Sequence, residues 1–262
     1  MTRNALFVLL LLLLFVLPLI VLVLYSVSEA WRYPHLVPQR LSARAWEFVK
    51  DQWRPIVGSL ASSLLYSALT VLLTFAFCVL PAGVFARESF PHKTILEAVL
   101  LAPALVPSIT FTMGIHYLFI LVRLTDTLPG VVLVLSLFSY PYMLRALTAG
   151  FQAYGEEYDV CAENLGAGQW MRLVRIDLPL LLPAIVSGGT VVFLVSFSEY
   201  FLVFVIGGGA VASYTGYLFP YLRSSDRPLA SILTLLFLCL PILLFAVIDG
   251  TVNRIYRKRG MI

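Results

Sequence analysis

Six apolar segments alternate with polar connections along the chain, and this alternation is its dominant pattern. Each segment has about 20 residues or more, the length that a helix needs to cross a hydrocarbon core of about 30 Å. Continuous apolar runs of this length are typical of membrane-spanning helices. The sequence therefore predicts an all-α membrane protein with six transmembrane helices, at residues 6–25, 59–86, 95–122, 129–148, 180–206 and 229–248.

The composition agrees with a chain whose main solvent is lipid. Of the 262 residues, 60% are hydrophobic and 12% are charged, whereas a soluble domain has about 25% charged residues. The net charge of +4 is scattered between the apolar segments. We expect no nucleic-acid partner, because such a partner requires a basic stripe. Cys78, Cys161 and Cys239 show no pairing pattern and no metal-ligand spacing, so we expect neither a disulfide framework nor a metal site.

The flanking charges indicate the orientation only weakly. With the N-terminus in the cytoplasm, ten Lys and Arg residues would lie inside and eight outside, and cytoplasmic connections carry the excess of positive charge. The basic cluster at residues 257–259 favours the same side for the C-terminus. The first apolar segment is longer than the roughly 7–15 residues of a signal-peptide core, so we expect it to be retained as a span.

The connection between the fourth and fifth segments, residues 156–179, is polar but regularly patterned. Helical spacing predicts an apolar face formed by Tyr158, Cys161, Ala162 and Leu165. A second face carries the acids Glu156, Asp159 and Glu163. Acids near the start of a helix suit the positive end of its dipole. This pattern predicts a short amphipathic helix, which can place its apolar face in the groove of a partner.

Gly166 is expected to end this helix, because glycine adopts the left-handed conformation of a helix end at little cost. Pro179 suits the first turn of a following helix, where its missing N–H is not needed. Between them the pattern predicts a second helical stretch with an apolar cluster and two solvated arginines: Trp170, Leu173 and Val174, with Arg172 and Arg175.

The spacing of Gly166, Ile176, Leu178 and Pro179 resembles the signature loop of binding-protein-dependent ATP-binding-cassette (ABC) permeases. That signature reads Glu-Ala-Ala, three residues, Gly, about nine residues, Ile, one residue, Leu-Pro. Here residues 160–162 read Val-Cys-Ala where Glu-Ala-Ala is usual, and Asp159 is the alternative source of the acid. Residues 101–107, 140–141 and 196–200 also look similar to this family, most of all to the branch that imports polyamines, opines, phosphonates and ferric iron.

The resemblance implies the type I importer permease (MetI-like) fold, as a single domain over residues 1–262 in the cell inner membrane. It places both termini and the coupling loop 156–179 in the cytoplasm. The residues that would contact the ATPase are Glu157, Asp159, Cys161, Ala162, Leu165, Gly166 and Ala167.

The resemblance also implies what the chain does and what it works with. The chain would form the path of a small polar solute, of polyamine-, phosphonate- or iron-like type. Its partners would be two ATP-binding subunits, a second permease (a copy or a paralogue), an extracytoplasmic substrate-binding protein and membrane lipid. ATP and magnesium would be bound by the ATP-binding subunits, and this chain would hold no cofactor.

An acid inside a span is a candidate functional residue, because its insertion costs about 2.5–3.5 kcal/mol. Glu199 lies in the predicted fifth span, roughly two turns before the glycines at 207–209. One interpretation is that it faces the central path, with Ser196, Ser198 and Tyr200, and attracts a cationic or polar group of the substrate. The alternative is a buried structural acid paired with an arginine or with backbone donors.

The sequence contains no Gly-x-x-x-x-Gly-Lys-Ser/Thr phosphate loop, so we expect this chain not to be an enzyme and ATP hydrolysis to occur on a separate subunit. Two other classes fit less well. An intramembrane enzyme needs a nucleophile and a base at membrane depth, and His116 is the only deep histidine. A secondary transporter is typically built from inverted repeats, and the sequence shows no internal duplication.

Overall fold

The computed structural model describes residues 3–31, 34–155 and 157–258, and most of these are helical. The helices are α1 (Arg3–Ser26), α2 (Arg44–Asp51), α3 (Trp53–Arg87), α4 (Lys93–Leu101), α5 (Ser108–Leu121), α6 (Leu128–Tyr154), α7 (Glu157–Asn164), α8 (Gln169–Arg172), α9 (Leu178–Leu180), α10 (Leu182–Ser198), α11 (Phe201–Gly207), α12 (Tyr214–Arg223) and α13 (Arg227–Lys258). A 3-10 turn, Ala102–Leu105, follows α4, and a π-helical segment, Leu173–Asp177, joins α8 to α9. Two short antiparallel strands, β1 (Ser28–Ala30) and β2 (Arg40–Leu41), pair Ser28 with Leu41.

Four of the six predicted spans lie within single helices, namely α1, α3, α6 and α13. By length and composition, three helices in the described part of the chain can each cross a membrane: Trp53–Arg87, Leu128–Tyr154 and Arg227–Val247. The number rises to five if each of two bent helix pairs forms one span. The apolar part of α1, Leu10–Ser26, is shorter. Six crossings and cytoplasmic termini therefore remain predictions.

The third predicted span, residues 95–122, contains a sharp bend. Lys93–Leu105 and Ser108–Leu121 meet at an angle of 102°. Val106 and Pro107, at the corner, are extended, with ψ angles of 129° and 137°. The cause is Pro107, which lacks a backbone N–H and disfavours the helical conformation of the residue before it.

The helix of the fifth predicted span, residues 180–206, is interrupted twice. Gln169–Leu180 and Leu182–Ser198 are bent by 74°, next to Pro183 in the first turn of α10. The helix then stops at Ser198, and Glu199 is extended with a ψ of 121° before α11 begins.

The chain forms two compact units. The first comprises Met1–Ser59 and Gly216–Ile262, and in it α1 and α2 pack against α13. The second comprises Leu60–Thr215 and is built around α6, which packs against α5, α10 and α11. The second unit contains two apolar cores, one around Met143, Leu147 and Phe151, and the other around Leu135 and Leu202.

Glycines allow α6 and α10 to touch. A Cβ atom at Gly150 would lie 2.5 Å from the Cβ of Ala184, and one at Gly188 would lie 2.8 Å from the Cβ of Ala146. Small residues permit this approach between helices that lack a hydrophobic driving force in lipid. Because α6 leads into α7, and α10 follows α9, this contact fixes both ends of the predicted coupling loop.

Candidate functional site

The predicted coupling loop begins with α7 and a tight turn. The N–H of Ala167 donates to the carbonyl of Ala162 at 2.9 Å, and the N–H of Gly166 donates to that of Glu163 at 2.8 Å. These two bonds form a Schellman motif, which satisfies carbonyls that a helix end leaves without partners. Gly166 has a φ of +82°, so the predicted left-handed glycine turn is confirmed.

The burial of α7 differs from the predicted division into an apolar and an acidic face. Only Asp159 and Ala162 are buried in this helix. Tyr158 is 55% exposed and Leu165 is 82% exposed, and Cys161 is exposed as well. Most of the predicted apolar face therefore points outward, and one of the predicted acids points into the protein.

The buried acid belongs to a charge cluster at the end of α3. The guanidinium of Arg87 forms ion pairs with Asp159 and with Asp177, the latter at 2.9 Å. It also donates to the hydroxyl of Tyr154 at 2.7 Å, and that hydroxyl donates to Asp177 at 2.7 Å. The Arg87 guanidinium lies 4.6 Å from the centre of the Phe151 ring. We call Arg87, Tyr154, Asp159 and Asp177 the anchor cluster; it joins α3, α6, α7 and the π-helical segment.

The anchor cluster has two carboxyl groups and one guanidinium. Burial raises the pKa of Asp159, the neighbouring Asp177 raises it further, and Arg87 opposes the rise. Burial disfavours the ionised form of a carboxyl group and a like charge adds to this effect. Arg87 therefore supplies the positive charge that stabilises the two carboxylates. Asp159 is the acid whose replacement by a neutral residue should cost less stability.

A second ion pair closes the coupling loop on its outer side. The guanidinium of Arg172 in α8 donates to the carboxylate of Glu163 in α7. The side chain of Arg172 is 17% exposed, so the prediction that it is solvated is wrong, whereas Arg175 is exposed as predicted. The reason is the turn at Gly166, which brings α8 back beside α7. Trp170 of α8 is exposed as well, at 76%, and is a further apolar side chain on the surface of the loop.

Sequence reasoning missed Arg87, Tyr154 and Asp177 as functional residues. Arg87 counted only as a flanking charge, and Asp177 is separated from it by 90 positions. One signal was present: Asp177 lies in the signature stretch without an evident role there, and an acid near a membrane surface calls for a basic partner.

The four residues of the predicted substrate path lie at the break between α10 and α11. The Glu199 carboxylate accepts hydrogen bonds from the N–H groups of Phe201, at 3.2 Å, and Leu202, at 3.4 Å. Ser198 donates to the carbonyl of Leu194 at 2.7 Å, and the ring of Tyr200 stacks on that of Phe204. Ser196 is buried and its hydroxyl has no hydrogen-bond partner among the described residues. These contacts favour the structural alternative for Glu199, as a cap of α11.

We expect Glu199→Gln to transport at nearly the wild-type rate at limiting substrate, because the amide oxygen keeps the cap. Glu199→Leu is expected to lower the free energy of unfolding by about 1 kcal/mol, because two N–H groups lose their acceptor. Thermal unfolding in detergent and uptake assays measure the two effects, with Ser224→Ala, an exposed serine outside the predicted path, as the control. A large loss of transport in Glu199→Gln with unchanged stability would instead support a role in the path.

Comparison with known proteins gives a consistent family. A family model described as "Binding-protein-dependent transport system inner membrane component" matches residues 79–259. The sulfate transport system permease protein CysT of Escherichia coli (strain K12) is 27% identical over 270 aligned residues, which cover 97% of this chain and 92% of CysT. The molybdenum transport system permease protein ModB of the same strain is 32% identical over 163 residues, covering 57% of this chain and 69% of ModB.

A solved structure shows the fold. The crystal structure of a bacterial ABC transporter involved in the import of the acidic polysaccharide alginate superposes with a TM-score of 0.73, covering 94% of both chains at 15% sequence identity. This confirms the permease fold that the signature loop implied. The relatives named here give no support to the polyamine, opine, phosphonate and iron branch.

Proposed function

We propose that this chain imports a tetrahedral oxyanion. The chain belongs to the family of binding-protein-dependent transport system inner membrane components, and it is a permease subunit of an ABC importer. In this proposal the segment Glu157–Asp177 receives the motion of a separate ATP-hydrolysing subunit. We name this segment the coupling segment.

One observation carries the coupling role: the coupling segment has an outward apolar surface and a rigid inner attachment. Tyr158, Leu165 and Trp170 are more than half exposed, although they lie in a polar connection where no lipid is expected to cover them. Exposed apolar surface of this kind marks an interaction site. The anchor cluster ties the other side of α7 to α3 and α6. A movement of α7 caused by a partner on its outer surface would therefore be transmitted to α3 and α6.

The substrate class rests on the relatives. CysT is named for sulfate and ModB for molybdenum. A tetrahedral oxyanion is small, doubly charged and strongly hydrated, and it does not cross lipid without a protein path. We therefore place this chain with oxyanion importers and no longer with carriers of polyamines or ferric iron.

The remaining parts of the assembly are proposed from the family. The coupling segment faces the cytoplasm and contacts one of two ATP-binding subunits. A second permease completes the path, and an extracytoplasmic binding protein delivers the solute. Closure of the ATP-binding subunits would move α7 and open the path to the outside, and hydrolysis would reset it.

The test is reconstitution of the purified complex. We expect an ATP-binding subunit with a phosphate loop to co-purify with this chain. We also expect proteoliposomes of the complex, supplied with its binding protein, to take up radiolabelled sulfate or molybdate. Uptake should require ATP on the side of the membrane that carries the ATP-binding subunits. Uptake by this chain alone, driven by an ion gradient, would make it a secondary transporter. ATP-driven uptake of spermidine and not of either oxyanion would overturn the substrate class.

A further inference from the structure

Arg145, in the last turn of the fourth predicted span, has no carboxylate partner among the described residues. Arg145 lies nine residues before Tyr154 at the end of α6, which is about 14 Å along the helix axis at 1.5 Å per residue. Its side chain is exposed. An ionised group within a span faces water, a protein partner or an ion, because hydrocarbon does not solvate it.

Among the described residues, three arginines form ion pairs, and Arg145 is one of those that do not. Arg87 has two carboxylates, and Arg44 and Arg172 have one each. Within residues 3–31, 34–155 and 157–258, no carboxylate oxygen lies within 4.0 Å of a nitrogen of Arg145. Glu97, next to Ala98 on the facing helix α4, therefore forms no ion pair with it. The positive charge remains available to a ligand.

The guanidinium opens onto a groove of about 570 Å³, which lies within the second unit between α4, the 3-10 turn, α6 and α10. The polar side chains that line it are those of Arg145, Tyr142 and Ser187. The groove is also lined by the small residues Ala146, Ala149 and Gly188, which take up little of its volume. No carboxylate is among the described lining residues, so the only formal charge on the wall is positive.

We propose that Arg145 binds the oxyanion substrate inside the translocation path, with Tyr142 and Ser187 as hydroxyl donors beside it. This inference rests on the proposed function and adds the group that recognises the charge of the solute. The planar guanidinium presents paired N–H donors that match two oxygens of a tetrahedral anion. A dianion that leaves water in a narrow path needs such a donor, and the groove repels no anion because it lacks an acid.

A lipid phosphate is the other source of the same chemistry. Arg145 lies in the last turn of the predicted span 129–148, so its position does not separate the two sources. We commit to a small free oxyanion because the groove is enclosed by α4, α6 and α10 of the second unit, and the lipid composition of the liposomes tests the alternative.

The experiment measures uptake of radiolabelled sulfate and molybdate by the reconstituted complex with its ATP-binding subunits and binding protein. We expect Arg145→Gln to lower the uptake rate about tenfold or more, because a charge-assisted hydrogen-bonding group is lost from the path. ATP hydrolysis stimulated by the binding protein should stay near the wild-type rate, because Arg145 is outside the coupling segment. Arg145→Lys should keep most of the uptake, and Arg54→Gln, which removes an exposed arginine at the start of α3, should match the wild type.

Several results would overturn the inference. Uptake by Arg145→Gln at the wild-type rate would remove Arg145 from the path while leaving the proposed function intact. An equal loss in Arg145→Lys and Arg145→Gln, with ATP hydrolysis reduced in parallel, would assign Arg145 to assembly and not to the anion. A defect seen only in liposomes with anionic lipid, and absent in phosphatidylcholine, would assign the site to a headgroup. If the wild type takes up neither oxyanion, the proposed substrate fails, and this inference fails with it.

Discussion

Arg87→Ala is expected to lower the free energy of unfolding of the chain by about 3 kcal/mol, at the lower end of the range for removal of one partner from a buried ion pair. The lower end applies because 24% of the Arg87 side chain is exposed, against 9% and 7% for the acids. Without the guanidinium, Asp159 and Asp177 are left together with no cation, and Tyr154 loses a hydrogen bond. We expect α7 to detach from α3, so that ATP hydrolysis continues while uptake stops.

Three further variants make this expectation specific to the anchor cluster. Arg87→Lys keeps the charge but lacks the fork that reaches two acids and a hydroxyl, so its loss should be intermediate. Asp159→Asn should cost clearly less than Arg87→Ala, because burial already favours the neutral form of this group. Arg175→Ala removes an exposed arginine of the same segment and serves as the control. Thermal unfolding in detergent gives the stabilities, and an Arg87→Ala protein as stable as Arg175→Ala would refute the role of the cluster.

Leu165→Asp is expected to weaken binding of the ATP-binding subunit about a hundredfold without changing the stability of the chain. Leu165 is 82% exposed at the end of α7, so the fold gains little from it. In the complex its burial would contribute about 1.5–3 kcal/mol, and the aspartate would be buried without a partner. The dissociation constant of the detergent-solubilised chain for the ATP-binding subunit measures the effect.

The matched control is Leu36→Asp, which places the same charge at a leucine that is 90% exposed in the connection after α1. We expect this variant to bind the ATP-binding subunit like the wild type. If Leu165→Asp also binds normally and supports ATP-driven uptake, the motor contacts another part of the chain and the coupling segment loses its assigned function.

The sequence could predict the helices because their apolar runs are long and local. It also predicted α7 and the turn at Gly166, because helical spacing and a glycine at a helix end are signals within a short stretch of sequence. Pro107, which bends the third span, is visible in the sequence, although the angle of 102° is not. The apolar run over residues 180–206 does not reveal the break after Ser198, because that break depends on Glu199 taking up N–H groups of α11.

The anchor cluster was out of reach for a different reason. Arg87 and Asp159 come together because α3 and α6 share an apolar core, which includes Ala82 and Leu147. Their pairing therefore depends on packing between residues that are far apart in the sequence. Spacing predicted the helix α7 but not its inner face, which combines Asp159 with Ala162 from the two predicted faces. Asp159 lies on the inner side of α7 because it pairs there with the partly buried guanidinium of Arg87. Tyr158 and Leu165 are exposed on the outer side.

The inward turn of Asp159 also bears on which motor this permease accepts. In the usual signature a glutamate stands where this chain has Val160, which is 53% exposed. The acid one position earlier, Asp159, forms an ion pair with Arg87. The proposed docking surface thus has the methyl groups of Val160 where the usual signature has a carboxylate. We expect its cognate ATPase to carry an uncharged cleft at that spot, so that a cell with several importers of this kind would keep their motors from being exchanged.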